Sequence, residues 1–276
     1  MNPQHQTPVW LRRTLIGAAL LIVAFVIVVP LVTVFAQALG KGLGAYRDAL
    51  MRPDTRAAVR LTLFVVLCTV PLHVLGGLAA AWAVTRFTFR GRALLVAMID
   101  LPLTVSPVVA GLCLVLLYGA RGVMGPWLEE HDVRIIYAVP GLVLATAFVT
   151  FPFVARALIP LMASQGKDEE EAALTLGASG WQIFFRVTLP SIKTGLLYGV
   201  VLCTARALGE FGAVSIVSGH LRGKTVTLPL HVEVLHDQYE AVGAFAAASL
   251  LTLVAVGTLF AKTRLERRGA RPSGHR

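Results

Sequence analysis

The chain has 276 residues, of which 56% are hydrophobic and 14% charged, against about 25% charged in an ordinary soluble domain. A soluble globule of this size must cover itself with polar side chains, so the composition excludes a soluble enzyme, a nucleic-acid reader and a disordered protein. Lys and Arg number 25 against 15 Asp and Glu, a net charge of +10, which in a membrane chain reads first as topology signal and lipid contact.

A spanning helix needs about 20 mostly apolar residues, and six stretches qualify. The first, Thr14 to Gly40, follows Arg12-Arg13 and is uncharged. Its apolar run to Phe35 exceeds the roughly 7–15 residues of a signal-peptide core, so it reads as a retained helix despite the cleavage-like Ala36-Gln37-Ala38. The second, Leu61 to Thr85, is uncharged and holds His73, expected to be packed and hydrogen-bonded. The third, about Ala93 to Ala120, contains Asp100, Pro102, Ser106 and Pro107. Two prolines there predict a broken or kinked span with freed backbone groups near a cavity.

The fourth span, about Ile135 to Leu161, has Arg156 near its end, expected to snorkel. The fifth, about Thr194 to Ser218, contains Arg206 and Glu210, four residues apart and so on one helix face. Two readings are open for that pair: a structural ion pair pinning the span to a neighbour, or Arg206 on an anion path with Glu210 holding it until a gate opens. Small residues in the same span (Gly199, Ala205, Ala207, Gly209 and Gly212) favour close helix packing. The sixth span, Ala241 to Ala261, is uncharged. Cys68, Cys113 and Cys203 sit in apolar runs without metal-ligand spacing and read as small buried hydrophobes.

Six spans place both termini on one side. With that side cytoplasmic, the inside segments hold 14 Lys and Arg and the outside segments 9, with Arg156 and Arg206 within spans. The positive-inside bias therefore predicts cytoplasmic termini, decided mainly by the loop Arg86–Arg92 and the tail from Lys262 to Arg276.

Between the fourth and fifth spans lies a segment too polar to span and too apolar for a linker. Acids at 168–171 suit a helix N-terminus, where the macrodipole favours negative charge. Ala172, Ala173, Leu174 and Leu176 are good helix formers. Gly177 is expected to end that helix in a left-handed conformation, and Gly180 to allow a second tight bend. Trp181 to Val187 then predicts a short amphipathic helix stopped by Pro190. The product is a helix–turn–helix hairpin with exposed small and aromatic residues, a docking surface in which Trp181 and Phe184 supply anchor area. Four consecutive acids argue against a helix lying on an anionic leaflet.

The loop Val217 to Glu240 carries His231, Glu233, His236, Asp237 and Glu240, but no two His fall at i, i+4 with a matched carboxylate, so no metal site is expected. It reads as a solvated face whose His220, Arg222 and Lys224 steer an anion or its carrier.

Glu171-Ala172-Ala173, three residues, Gly177, nine residues, then Val187-Thr188-Leu189-Pro190 resembles the "EAA" signature of ABC-importer permeases, with Val187 where that pattern has Ile. The runs Asp100 to Gly111 and Ala205 to Ser215 resemble the molybdate/sulfate branch. His220 to Thr225 and Thr227-Leu228-Pro229-Leu230 resemble the CysW-type sulfate/thiosulfate permeases. The resemblance implies an all-α integral membrane protein: six transmembrane helices in a type I ABC-importer permease fold with a cytoplasmic coupling helix. It implies an N-terminal helix and periplasmic loop over 1–56, a permease core over 57–262 with a coupling hairpin at 167–190, and a basic cytoplasmic tail at 263–276. The function implied is that of a sulfate/thiosulfate permease subunit in a bacterial inner membrane; molybdate or another tetrahedral oxyanion is the alternative. The coupling residues would be Glu171, Ala172, Ala173, Gly177, Trp181, Leu189 and Pro190; Asp100, Ser106, Arg206 and Glu210 would line the path or gate. Implied partners are ABC ATPase subunits, a CysT-type sister permease, a periplasmic sulfate-binding protein and membrane lipid. ATP and Mg²⁺ would be bound by the ATPase subunit, since no Walker-type phosphate loop occurs here. A membrane-embedded enzyme built on Asp100, Arg156, Arg206 and Glu210 finds no acid/base or metal constellation in their spacing. A channel would leave the hairpin without a task.

Overall fold

Fourteen α-helices and one π-turn, with no strand among the described residues, follow from the apolar periodicity of the chain. The computed structural model describes residues 9–269. The predicted basic tail falls outside the described residues from 270 onward. Five helical rods are long and apolar enough to cross a membrane, and a bent pair supplies a sixth crossing or a re-entrant loop.

Helix α1 (Val9–Leu39) is a single 31-residue rod. Its apolar side chains are exposed nearly all round, as suits a helix whose surroundings are lipid. It lies against α14 (Ala241–Gly269) from the other end of the chain, and α2 (Gly42–Met51) follows it. Helix α3 (Pro53–Arg86) is the spine, 34 residues long, which at 1.5 Å per residue is about 50 Å. Its polar buried residues are Thr and His: Thr62 and Thr69 bond back to their own helix, and His73 Nε2 meets Thr150 Oγ1 at 2.9 Å. His73 is thus packed and hydrogen-bonded, as its setting in the sequence predicts.

The third predicted span is sharply bent. Helices α4 (Arg92–Thr104) and α5 (Pro107–Tyr118) meet at 110°. Pro107 cannot donate its backbone nitrogen, and the residue before it is held extended (Ser106, ψ 135°), so the helix cannot run through. A short α6 (Gly125–Glu130) follows. The fourth span is α7 (Val139–Thr150) and α8 (Pro152–Gln165), stacked end to end with Phe151 between them. Helix α8 is clasped between α3 and α11 (Leu189–Leu208). Gly77 and Gly199 make that possible: a Cβ on Gly77 would stand 2.9 Å from Val154 Cβ, and one on Gly199 3.2 Å from Val154 Cα. Ala81, Val154, Leu158, Met162, Ile192 and Cys203 form the core there. Of the cysteines only Cys203 is buried; Cys113 is exposed on α5 and Cys68 is half-buried, so the expectation of three buried hydrophobes is corrected. In a bilayer an apolar thiol on a lipid face costs nothing, which is why burial is not required of it.

Candidate functional site

The segment between α8 and α11 folds as a hairpin at one end of the spine. Helix α9 (Asp168–Thr175) begins with all four acids in its first turn. Gly177 stands at φ +84°, with nothing within 4 Å of a Cβ there, so the position selects glycine by conformation and not by space. The second bend belongs to Ser179, not to Gly180. Ser179 caps α10 (Gly180–Ile183): its Oγ accepts from Gln182 N–H, while its own N–H donates to Gln182 Oε1 at 2.8 Å. That reciprocal capping fixes the turn, and Gly180 is simply the first helical residue.

The second arm does not stop at Pro190. A π-turn, Phe184–Thr188, joins α10 to α11, and the rod runs from Gly180 to Leu208 over 29 residues. Leu189 N–H donates to Phe184 O, one residue further back than in an α-helix. The wider turn lets the chain pass Pro190, whose ring would otherwise press on the carbonyl four residues earlier.

The tip is exposed and apolar. Leu176 is 88% and Trp181 75% exposed, and Leu174 and Phe185 are also open. Glu171 and Ala172 are exposed and Ala173 half-buried; Leu189 is half-buried and Pro190 exposed. Trp181 stacks on Phe185 at 5.9 Å, and Phe184 on Trp82 of α3 at 4.9 Å. Between the arms and the end of α3 lies a cavity of about 570 Å³ lined by Trp82, Phe87, Leu174, Trp181 and Phe184 among others.

The root is the opposite. Arg86, the last residue of α3, places Nε 2.8 Å from Glu170 Oε2 and donates from Nη2 to Glu170 Oε1 at 3.0 Å. Its Nη1 donates to Met162 O of α8 at 3.1 Å, and its own carbonyl accepts from Lys167 Nζ at 2.9 Å. Thr188 in the π-turn donates to Glu170 Oε1 at 2.8 Å. Sequence reasoning treats Arg86 only as a topology charge. The signal for its partner is present but indistinct: one of four consecutive acids must face inward, and helical register alone does not say which.

Away from the hairpin the predicted path residues fall into two groups. Asp100 on α4 pairs with Arg156 on α8, Oδ1 to Nε at 2.9 Å. Arg156 therefore has a carboxylate partner on α4, with its side chain 57% exposed. It lies nine residues before the end of α8, roughly 13 Å along the axis at 1.5 Å per residue. The second group is Arg206 and Glu210, 2.6 Å apart between Nη1 and Oε2, with the carboxylate buried and the guanidinium 33% exposed. They are not on one continuous helix, as the spacing predicts. Helix α11 ends at Leu208, Gly209–Phe211 is a break, and α12 (Gly212–Val217) starts anew. Glu210 Oε1 accepts from Ala213 N–H at 3.0 Å, supplying the acceptor that the interrupted helix lacks. Glycines at 209 and 212 lower the cost of the interruption.

The two breaks meet. A Cβ on Gly212 would lie 3.0 Å from Pro107 Cβ, and one on Gly111 2.8 Å from Ala213 O. Ser106 is exposed at this junction, and its side chain caps no backbone group.

At the other end of α3 the loop before α14 is no solvated face. Helix α13 (Leu228–Asp237) buries Leu228, Leu230, His231 and Leu235 against α3 and α14. His231 Nε2 meets Thr55 Oγ1 at 3.0 Å. Burial holds the His231 pKa below its ordinary value, outweighing Asp54, while Arg222 and Arg52 add to the lowering. Arg52 pairs with Glu240, and Arg222 with Asp54 at 3.9 Å. The i, i+4, i+7 spacing of Leu228, Val232 and Leu235 could have exposed this helix in the sequence; the polar residues between them masked it. No group of three metal-ligating side chains occurs among the described residues.

Residues 73–270 match the family of binding-protein-dependent transport system inner membrane components. The chain is 53% identical to the sulfate transport system permease protein CysW of Escherichia coli K12, over 93% of this chain and 88% of that one. To the sulfate transport system permease protein CysT of the same strain it is 36% identical, over 94% of each. Its fold is similar to a chain of a bacterial alginate ABC transporter solved with an alginate pentasaccharide-bound periplasmic protein, at a TM-score of 0.73 and 20% identity, covering 94% of this chain and 96% of that one.

Proposed function

The chain belongs to the binding-protein-dependent transport system inner membrane components, and from that premise we propose that it is a permease subunit of an ATP-driven importer of sulfate and thiosulfate. One observation carries the coupling half of this reading: a hairpin with a buried, ion-paired root and an exposed apolar tip. Leu174, Leu176, Trp181 and Phe185 stand open to water where a partner protein would cover them. The partner is a cytoplasmic ABC ATPase that holds ATP and Mg²⁺, and Glu171, Ala172, Ala173, Gly177, Trp181, Leu189 and Pro190 belong to the surface it meets. The anion is supported by the 53% identity to the CysW protein. The lesser likeness to the CysT protein supports a related but distinct sister subunit beside this one. A periplasmic sulfate-binding protein delivers the anion to the face carrying α6 and α13. The membrane is the bacterial inner membrane, with both termini cytoplasmic.

The geometry suggests how hairpin motion reaches the path. The rod Gly180–Leu208 begins at the tip and carries Arg206 two residues before its end, so one continuous helical element of 29 residues links the two. Movement of the hairpin tilts the rod, and the tilt is felt at the junction where the break around Glu210 abuts that before Pro107. Ser106, Arg206 and Glu210 line the path or gate there, with Asp100 on α4 leading to it. Arg206 offers a cation to a dianion while Glu210, fixed by Ala213 N–H, keeps the site neutral when empty. Sulfate crosses unchanged, so no nucleophile or general base is needed.

The test is reconstitution in proteoliposomes with the ATPase, sister and binding-protein subunits. ATP-dependent uptake of labelled sulfate, blocked by thiosulfate, is expected; uptake of molybdate in place of sulfate would reassign the anion. Arg206→Ala should cut uptake at least tenfold with assembly intact, and unchanged uptake would remove Arg206 from the path. Trp181→Ala should weaken ATPase capture about tenfold, the effect of losing one interface anchor.

A further inference from the structure

The four acids of α9 differ in what they do. Asp168, Glu169 and Glu171 are exposed, and among the described residues Glu170 is the one that forms an ion pair. No residue of α9 is fully buried. The helix is therefore not held to the bundle by an apolar core of its own. Its hold comes from a polar knot: Glu170 Oε1 accepts from Arg86 Nη2 and Thr188 Oγ1, Arg86 Nε stands 2.8 Å from Glu170 Oε2, and Lys167 donates to the Arg86 carbonyl. Arg86 closes the knot on a third element through Met162 O of α8. The Arg86 side chain is 8% exposed, so removing its partner would leave a costly buried charge, and its hydrogen bonds run from Nη2 to Glu170 and from Nη1 to Met162.

We infer that Arg86 and Glu170 are the positioning residues of coupling: the knot welds α9 to the ends of α3 and α8 and to the π-turn at the head of the rod. This rests on the reading of the hairpin as the ATPase's docking element. A hairpin attached only through its two chain connections would swing on Gly166 and on the π-turn when pushed, and the push would be absorbed locally. With the knot made, the same push moves three long helices as one body. The pairing suits this task, because the guanidinium approaches both carboxylate oxygens, Nη2 bonding Oε1 and Nε standing near Oε2, and so resists rotation as well as separation. Glu171, next in sequence and exposed, is left free for the partner.

The knot thus governs how much transport each ATP yields, not whether the ATPase binds. The experiment uses the full complex in proteoliposomes and reads three quantities: ATPase capture by the purified chain, ATP hydrolysis, and sulfate moved per ATP hydrolysed. For Glu170→Gln and Arg86→Met we expect capture and hydrolysis within about twofold of the unmutated complex, and transport per ATP reduced at least tenfold. Arg86→Lys should recover part of the loss. The double variant should fall no further than the worse single one, as for two members of one unit. Thr188→Val removes one hydrogen bond and leaves the ion pair, and should lower the ratio two- to threefold; it keeps the test decisive if Arg86→Met does not fold. An unchanged transport-to-ATP ratio in Glu170→Gln overturns the inference. So does loss of ATPase capture in that variant, which would make the knot part of the docking surface. Failure of the broader reading shows separately, as an unmutated chain that captures no ATPase or moves no sulfate.

Discussion

The two ends of α3 are built on opposite plans. At the Pro53 end, α13 turns its apolar side inward and buries Leu228, Leu230 and Leu235, and the ion pairs Arg52–Glu240 and Arg222–Asp54 outside that helix lie in the open. At the Arg86 end the ion pair is shielded and the apolar side chains of the hairpin are exposed. The first end is finished by this chain alone. The second is finished at its root and open at its tip, which is the arrangement expected where a second protein supplies the missing cover.

That contrast is open to direct attack. The largest effect is expected from Leu230→Ala, which empties a fully buried site and should destabilise the folded chain by about 3 kcal/mol. The loss should appear as a lower thermal midpoint in detergent with ATPase capture at low temperature unchanged. Gly177→Val comes next. A β-branched residue at φ +84° costs about 1–2 kcal/mol locally. The hairpin tip should be displaced and ATPase capture weakened about tenfold, while the thermal midpoint of the bundle stays within a few degrees.

A smaller effect separates the ends by pH. His231 is buried with its pKa lowered, so folding favours its neutral form. Its contribution is complete above its unfolded value, about 6.5, and is lost as pH falls from there toward the folded value. Thermal midpoints taken from pH 7.5 to 5 should decline more steeply in the unmutated chain than in His231→Gln. Equal slopes would show that the α13 end does not sense this proton. The smallest effect belongs to Arg52→Ala. Both partners of that ion pair are about half exposed, and such pairs contribute under about 1 kcal/mol. A loss above 2 kcal/mol would mean that this end, too, depends on its charges.

Reading the chain against its folded form shows where one-dimensional patterns suffice. Long apolar runs announce α1, α3 and α14, since a bilayer sets one required length and tolerates few charges, but α3 starts eight residues before the apolar run at Leu61 and α14 continues eight past Ala261. The hairpin was also readable, with Gly177 at its turn, because acids, good helix formers and a glycine each act locally. The errors lie where local and distant influences compete. Pro190 is a strong local stop, yet a π-turn carries the rod through it. Gly180 suggests a bend, yet Ser179 and Gln182 share a cap that makes it. Arg206 and Glu210 at i, i+4 suggest a continuous helix, yet the break at Gly209–Phe211 lies between α11 and α12.

Composition and hydropathy alone settled that this is a helical membrane chain, and a spaced signature singled out the hairpin within it. Which charge meets which was decided only in three dimensions. Asp100 and Arg156 lie 56 residues apart and Arg86 and Glu170 84 apart, and nothing along the chain pairs them. Packing makes that choice: the way the helices meet determines which opposite charge lies within reach, for the shielded pair Arg86–Glu170 and the open pair Asp100–Arg156 alike.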